Sequence, residues 1–162
     1  MALESVPQST QSDGKWRIWN VAAGVNALSV AIINAGTSLT YGFTPDGFNY
    51  TINQETVNDP RLTLVQNLSR PGKKTETLEV KYIRTSDAGS AAVVLTEGST
   101  GQLVIRRGID NATVATIAQK VDVITYVAGA QRPDAPVENG VDTISQTLYI
   151  TAPTVRQGVL VA

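Results

Sequence analysis

The chain has 162 residues, enough for one domain that buries most of its apolar surface and too few for two. Its 13 Lys and Arg against 14 Asp and Glu leave a formal charge of −1, without the basic excess of a tight duplex binder. The complete absence of Cys and His excludes disulfides, Ser-His-Asp and Cys-His mechanisms, and the commonest zinc sites.

Residues 1–14 are polar and rich in Ser and Gln, with Pro7 among them, a composition that does not order itself alone. We expect an N-terminal arm that gains structure on a neighbouring subunit. The segment has neither the basic start nor the apolar run of a secretory signal, and no window approaches the ~18 apolar residues of a membrane helix. The sequence therefore predicts a protein with no membrane partner that is made in a cytoplasm.

The first predicted strand begins at Lys15, and it places Trp16 and Trp19 on opposite faces. Such tryptophans anchor a core or an interface more often than they stack on a sugar or a base, and both interpretations stay open. The apolar run from Leu28 to Ile33 fits a strand, although its period alone does not separate it from a buried helix.

A Pro-Asp-Gly turn follows Phe43, and Phe48 and Tyr50 share one face of the next strand. The polar stretch that ends at Pro60 predicts a long hairpin or loop, around residues 42–60, that projects from the sheet and meets another subunit. Residues 69–74 predict a solvated basic turn rather than a phosphate site, because no glycine-rich loop opens a helix there.

The clearest strand is predicted over residues 75–84, and further strands over 102–107 and 120–127. One helix is predicted over residues 86–97, since Ser86 and Asp87 suit its first turn and small apolar residues recur at helical spacing before Gly98. Arg106 and Arg107 point to opposite faces of their strand, so one of them must reach an edge or pair with an acid.

The last part of the chain joins a polar loop to a regular strand. In the strand at 143–151, Ile144, Leu148 and Ile150 share one face, with Gln146 between them. Three carboxylates in the preceding loop are spaced by four residues, but prolines and a glycine forbid the helix that would align them. We therefore interpret the loop as solvated, with a hard-cation site as the weaker alternative.

These elements predict a mainly β fold, a β-sandwich or partly closed barrel with one packed α-helix, as a single domain over residues 15–162. The open edges of such a sheet either aggregate or are used for pairing, which favours self-association. We therefore list candidates for subunit contact among the aromatic and cationic residues: Trp16, Trp19, Phe43, Phe48, Tyr50, Arg61, Arg107 and Tyr149.

Residues 131–146, QRPDAPVENGVDTISQ, resemble the C-terminal signature of major tail (tail tube) proteins of long-tailed, siphovirus-type phages of actinobacteria. The opening MALESVPQSTQSDGKWRIWNV and the chain length also suit that family. The resemblance implies a structural virion protein whose rings of six copies stack into the tail tube, the conduit for genome ejection. It also implies contact with tape measure, tail terminator and tail tip proteins, and passage of double-stranded DNA without sequence-specific binding.

Within that interpretation the chain is no enzyme and needs no cofactor or metal, and its place is the virion tail after assembly in the host cytoplasm. We expect the cations Arg70, Lys73, Lys74, Arg106 and Arg107 mostly to face outward or to meet acids at subunit contacts. The alternative function is a receptor-binding or glycan-binding β-sandwich at the virion surface, in which aromatic side chains stack on a sugar.

Overall fold

The computed structural model describes residues 8–63 and 65–162. In chain order these residues form β1 (Trp16–Val21), α1 (Val30–Ala35), β2 (Thr37–Ser38), a 3₁₀ turn (Thr40–Gly42), β3 (Phe43–Asp59), β4 (Leu68–Ile83), α2 (Ala91–Val94), β5 (Thr100–Arg107), β6 (Lys120–Ala128), β7 (Arg132–Pro133), β8 (Thr143–Ile150) and β9 (Val155–Val159). The predicted mainly β class is confirmed.

The strands belong to one open, antiparallel sheet with the order β2-β1-β5-β6-β8-β4-β3. β7 pairs with β8. β9 pairs with residues 120–123 of β6, on the part of that strand that does not pair with β8. Every one of these pairs is antiparallel, so adjacent strands connect by hairpins and by crossings outside the sheet.

The sheet curls until its two ends meet. Five steps separate β1 from β3 in the strand order, which would place them about 24 Å apart in a flat sheet. The rings of Trp16 on β1 and Phe48 on β3 nevertheless lie 6.1 Å apart in an edge-to-face contact. Phe43 continues this contact to Phe48 at 5.8 Å and to Tyr82 at 6.4 Å. The ends are also joined by the chain itself, which runs from β2 through the 3₁₀ turn into β3, and by hydrogen bonds of Leu39 and Thr40 to the Ile18 backbone. Aromatic side chains therefore close the sheet together with this short connection.

The curled sheet encloses one core and carries a second on its outer face. Leu103 and Ile105 on β5 contribute to the enclosed cluster, whereas Val104 between them joins the outer cluster. Ile33 of α1 and Leu160 cover the outer cluster and are almost completely buried. The middle strands are thus apolar on both faces because each face is covered by the same chain.

A polar group lies at the centre of the enclosed core. Gln146 is fully buried; its amide nitrogen donates to the carbonyl oxygens of Leu95 (2.8 Å) and Gly129 (2.7 Å), and its oxygen accepts from the Tyr82 hydroxyl (2.9 Å). Burial raises the pKa of Tyr82, which keeps that hydroxyl protonated as a donor. The network ties β4, β8 and the segment after α2 into one arrangement.

The helices differ from the prediction. The run from Leu28 contains α1 and not a strand, and the helix predicted over 86–97 is reduced to the single turn α2. The Ser90 hydroxyl donates to the Thr85 carbonyl, and the Thr85 hydroxyl accepts from the Asp87 amide. These side-chain bonds give the backbone an alternative to the helix, so it begins only after Ser90.

The turn predicted at 69–74 is also wrong, because these residues are part of β4. The register shifts between Gln54 and Thr56 of β3, opposite Gly72. A Cβ on Gly72 would lie 2.9 Å from the Glu55 carbonyl oxygen, so this irregularity accommodates glycine best. Pro71 and Gly72 therefore lie at an irregularity within the β3–β4 hairpin. The chain reverses its direction between Asp59 and Leu68 instead.

Replacing Gln146 with leucine tests the buried network. The change leaves two carbonyl oxygens and the Tyr82 hydroxyl without their partner, so we expect Gln146→Leu to lower the free energy of unfolding by about 2 to 4 kcal/mol. Urea denaturation followed by tryptophan fluorescence measures the loss. Thr147→Val, on the same strand, is the matched control and should stay within about 0.5 kcal/mol. Equal stability of the two variants would contradict the role of Gln146.

Candidate subunit interface

The two longest strands leave the sheet together as a ribbon. Residues 78–83 of β4 pair with both β3 and β8, whereas residues 68–77 have β3 as their one strand neighbour in the described part of the chain. We call residues 51–77 the arm. Its nine residues on β3 before Pro60 give it a length of about 30 Å at roughly 3.3 Å per residue.

The arm exposes large apolar side chains, most of all at its tip. Leu62 and Val65 have relative exposures of 95% and 105%, and Ile52, Val57 and Leu68 are exposed along the strands. A two-stranded ribbon without further packing is marginally stable in water. Apolar side chains at the end of such a ribbon are typical of a surface that another molecule covers.

The end of the arm is basic. Residues 59–74 contain four cations and one carboxylate. The carboxylate, Asp59, lies 3.0 Å from the Arg61 guanidinium and 3.2 Å from that of Arg70. Both guanidiniums share this one carboxylate, so the tip keeps a net positive charge. Lys73 and Lys74 are exposed and form no ion pair with any described residue, but Lys74 lies opposite Gln54, nearer the base of the arm than its tip.

Side chains from the end of the chain hold the base of the arm. Thr154 donates a hydrogen bond to the carboxylate of Glu76, and the Arg156 guanidinium lies 4.9 Å from the centre of the Tyr50 ring. The bond from Thr154 and the charges of Arg156 and Lys74 lower the pKa of Glu76. These contacts fix the direction in which the arm leaves the sheet.

The predicted aromatic contact residues fall into different environments. Trp16, Phe43, Phe48 and Tyr50 are half-buried, and Trp16, Phe48 and Tyr50 line a cavity of about 170 Å³ where the sheet ends meet. Trp19 is only 2% exposed. Tyr149 and Arg61 are exposed.

Trp19 therefore has almost no surface for a partner, and it forms no shared stacking platform with Trp16. The contact role of the others stays a prediction.

The two neighbouring arginines of β5 have opposite roles. Arg107 reaches the Asp122 carboxylate and lies over the Trp16 ring. Arg106 is fully buried, which corrects the expectation that it faces outward or meets an acid. Its guanidinium donates to the backbone carbonyls of Asp110, Thr113 and Val114 and to the side-chain oxygen of Gln119.

Burial, followed by the charge of Arg17, lowers the pKa of Arg106. Arg17 donates to the carbonyls of Asn111 and Thr113, and both guanidiniums lie about 5 Å from the centre of the Trp19 ring. Two cations thus organise the irregular segment at 108–119 through its carbonyl oxygens. No pattern in the sequence indicated this arrangement, because its acceptors are backbone atoms.

The carboxylates of the 134–142 loop are not gathered into a metal site. Asp134 accepts hydrogen bonds from Ser145 and Thr143 at 2.7 Å, which lower its pKa, and Asp142 pairs with Arg84 at 3.2 Å. Among residues 8–63 and 65–162, no three carboxylates lie close enough to hold a metal ion. Over the same residues no helix has the length and apolar character needed to cross a bilayer.

Comparison with known proteins assigns the chain to a family. A family model described as phage tail tube protein matches residues 4–162. The chain belongs to the phage tail tube protein family. It is therefore a structural component of a phage tail and of the virion, and the tail tube family offers no support for the glycan-binding alternative.

The fold of this tail tube protein has a counterpart among solved structures. It matches a chain in the cryo-EM structure of the anti-feeding prophage (AFP) baseplate, 6-fold symmetrised, with a TM-score of 0.56 and 10% sequence identity. The match covers 96% of this chain and 98% of the other, so it extends over the whole fold. No curated protein matches the chain.

The contacts at the base of the arm predict a pH dependence. A lowered pKa means that the Glu76 carboxylate stabilises this attachment above its ordinary value of 4.5, and that the effect is lost as pH falls through the lower folded value. We expect hydrogen-exchange protection of residues 50–54 and 74–78 to begin to fall near about pH 5 and to be lost progressively at lower pH. In Glu76→Gln it should already be low at about pH 6.

Glu79→Gln is the matched control, since Glu79 is an exposed carboxylate on the same strand. This variant should keep the pH dependence of the unaltered chain. Identical protection profiles for Glu76→Gln and the unaltered chain would show that the carboxylate does not hold the arm.

Proposed function

We propose that copies of this chain close into rings, six to a ring, and that the rings stack into the tail tube through which the phage genome passes. The observation that carries the proposal is the arm, a 30 Å ribbon (about nine residues at roughly 3.3 Å each) whose apolar tip is exposed. Membership of the tail tube family supports the tube, and six copies per ring is the symmetry of the assembly that contains the similarly folded chain.

The mechanism is geometric. The arm extends beyond the chain's own sheet, so its tip lies where a neighbouring copy can cover Leu62 and Val65. Residues 8–12 are exposed, and we propose that the N-terminal arm, residues 1–14, also lies on a neighbour. Repetition of such contacts around a ring and between rings makes a continuous wall.

Passage of DNA requires a wall with few free cations. The near-neutral net charge of −1 supports transit without tight binding, because affinity for a duplex comes largely from neutralised phosphates. Several cations are already occupied: Arg106 by backbone carbonyls, Arg107 by Asp122 and Arg70 by Asp59. The other proposed partners are the tape measure, tail terminator and tail tip proteins, with assembly in the host cytoplasm.

The type of tail is part of the same proposal. The likeness of residues 131–146 to major tail proteins of long-tailed actinobacterial phages supports a flexible, siphovirus-type tail. Electron microscopy of virions that carry this chain would test it, and a contractile sheath around the tube would contradict it.

Removal of the arm tests the tube. Asn53 and Thr75 are directly opposite in the ladder, so residues 54–74 can be replaced by a two-residue Asn-Gly turn that closes a short hairpin. We expect the shortened chain to fold but to form no tubes at concentrations where the unaltered chain does. Negative-stain electron microscopy and sedimentation measure assembly, and circular dichroism checks the fold.

A control keeps the length of the arm and changes only its exposed polar surface. Asn58→Ser, opposite Ser69 in the ribbon, should assemble like the unaltered chain. Tubes of normal yield from the shortened chain would refute the role of the arm, and an unaltered chain that stays monomeric at high concentration would refute the tube itself.

A further inference from the structure

The arm tip and the 134–142 loop lie at opposite ends of the molecule. Asp59 pairs with Leu68 at the tip end of the β3 and β4 ladder, and Ile83 pairs with Thr143 at the other end of β4. Fifteen residue steps along β4 separate these ends, about 50 Å at roughly 3.3 Å per residue. A contact between the two surfaces is therefore one between different copies, in a head-to-tail arrangement.

The loop has a defined shape. The Asp134 amide donates to the Thr143 carbonyl, and its carboxylate accepts from Thr143 and Ser145. The Arg84 amide donates to the Asp142 carbonyl at 2.9 Å, and the Gly140 amide donates to the Val137 carbonyl at 3.0 Å. Both ends of the loop are thereby attached to the sheet, so little conformational freedom remains to be lost when a partner binds.

The loop surface is apolar and acidic. Val137 and Val141 are 71% and 63% exposed, although their backbone is held in place. Residues 134–142 contain three carboxylates and no cation, and Glu138 is exposed without an ion-pair partner among the described residues. The arm tip has the opposite charge beside its own apolar residues, because Arg61 and Arg70 share the single carboxylate of Asp59.

We propose that the arm tip of one copy docks on the 134–142 loop of a second copy, with Leu62 and Val65 against Val137 and Val141 and the guanidiniums of Arg61 and Arg70 beside Glu138. The inference rests on the proposed tube and names the surface on which the arm lands. Charge complementarity selects the partner surface, because paired patches of opposite sign favour the correct register. Since each copy offers one tip and one loop, the contact can repeat from copy to copy.

The aromatic cavity where the sheet ends meet is a poorer landing surface for the tip. Its rim carries Arg107 and Arg156, and the Asp122 carboxylate at the same rim is already paired with Arg107. A basic tip would bring like charges together there. At the loop, Lys81 and Arg84 are paired with Asp134 and Asp142, and Glu138 has no ion-pair partner among the described residues and can accept a cation.

Because the chain has no cysteine, introduced thiols report this contact directly. We expect the double variant Val65→Cys, Val137→Cys, assembled into tubes and treated with a short bis-maleimide, to give a ladder of covalent oligomers that runs beyond the dimer in a denaturing gel. The matched control pairs Val65→Cys with Val159→Cys, another half-exposed valine outside the loop, and should give no ladder.

The outcomes separate this inference from the proposed function. Tubes with the ladder confined to the Val137 variant support the docking. Tubes without that ladder, a ladder from the Val159 variant, or dimers from Val65→Cys alone overturn it and leave the tube standing. The last result would mean that arms pair with arms, and a ladder through residues 1–14 in an analogous Ser5→Cys variant would identify the N-terminal arm as the occupant of the loop. An unaltered chain that forms no tubes would refute both.

A charge exchange tests the electrostatic part. Glu138→Lys should raise the concentration needed for tube formation about tenfold at low salt, since it places like charges at the contact. Adding Arg61→Glu, at the tip, to the same chain should restore assembly to within about threefold. Glu97→Lys, an exposed carboxylate outside the loop, is the control and should assemble normally. Failure of the exchange to restore assembly, with all variants folded by circular dichroism, would contradict the docking.

Discussion

The form of the molecule depends on closure of the curled sheet between β1 and β3. Trp16 and Phe48 meet there through their rings, and the short passage from β2 through the 3₁₀ turn into β3 adds hydrogen bonds to Ile18, so β1 and β3 need not share a ladder. An enclosed core is thereby completed within one copy, while the backbone edges near the contact stay unpaired. Edges of this kind are available for pairing with other chains, and the fold combines a self-sufficient interior with borders that can associate.

The cationic side chains likewise divide into those that stabilise the fold of one copy and those that remain exposed. Arg106 and Arg17 direct their guanidiniums at backbone carbonyls of the 108–119 segment and at the Trp19 ring, so two cations serve the chain's own structure. Arg107 is paired with Asp122. Lys73 and Lys74 on the arm have no carboxylate partner among the described residues, and neither have Lys15, Lys120 and Arg132 elsewhere. The buried cations thus serve the fold, whereas the free ones lie at the surface.

The sequence predicted those features that depend on period and composition. Alternating apolar residues predicted the strand at 120–127, which the structure extends by one residue, and the mainly β class followed from such runs. The prediction of a helix over 86–97 was wrong because the side chains of Thr85 and Ser90 form hydrogen bonds with nearby backbone groups. The prediction of a turn at 69–74 was wrong because Pro71 and Gly72 lie within the β3–β4 ladder, where its register shifts. Burial of Gln146 and the bond from Thr154 to Glu76 depend on residues far apart in the chain, for which neither period nor spacing gives a signal.

The arm links the stability of one copy to the presence of the next. Over residues 51–59 and 68–77, its two strands have no second strand neighbour among the described residues, and a ribbon with two strands gains little from its own packing. The contacts of Glu76 and Tyr50 fix its base, whereas Leu62 and Val65 at the tip are left exposed by the described part of the chain. In the proposed tube a neighbouring copy supplies that cover, so the tip is stabilised only after assembly. A free copy gives up little stability by displaying the arm, and a copy added to a growing tube gains the burial of its tip. Growth at an existing end is then favoured over association of free copies in solution.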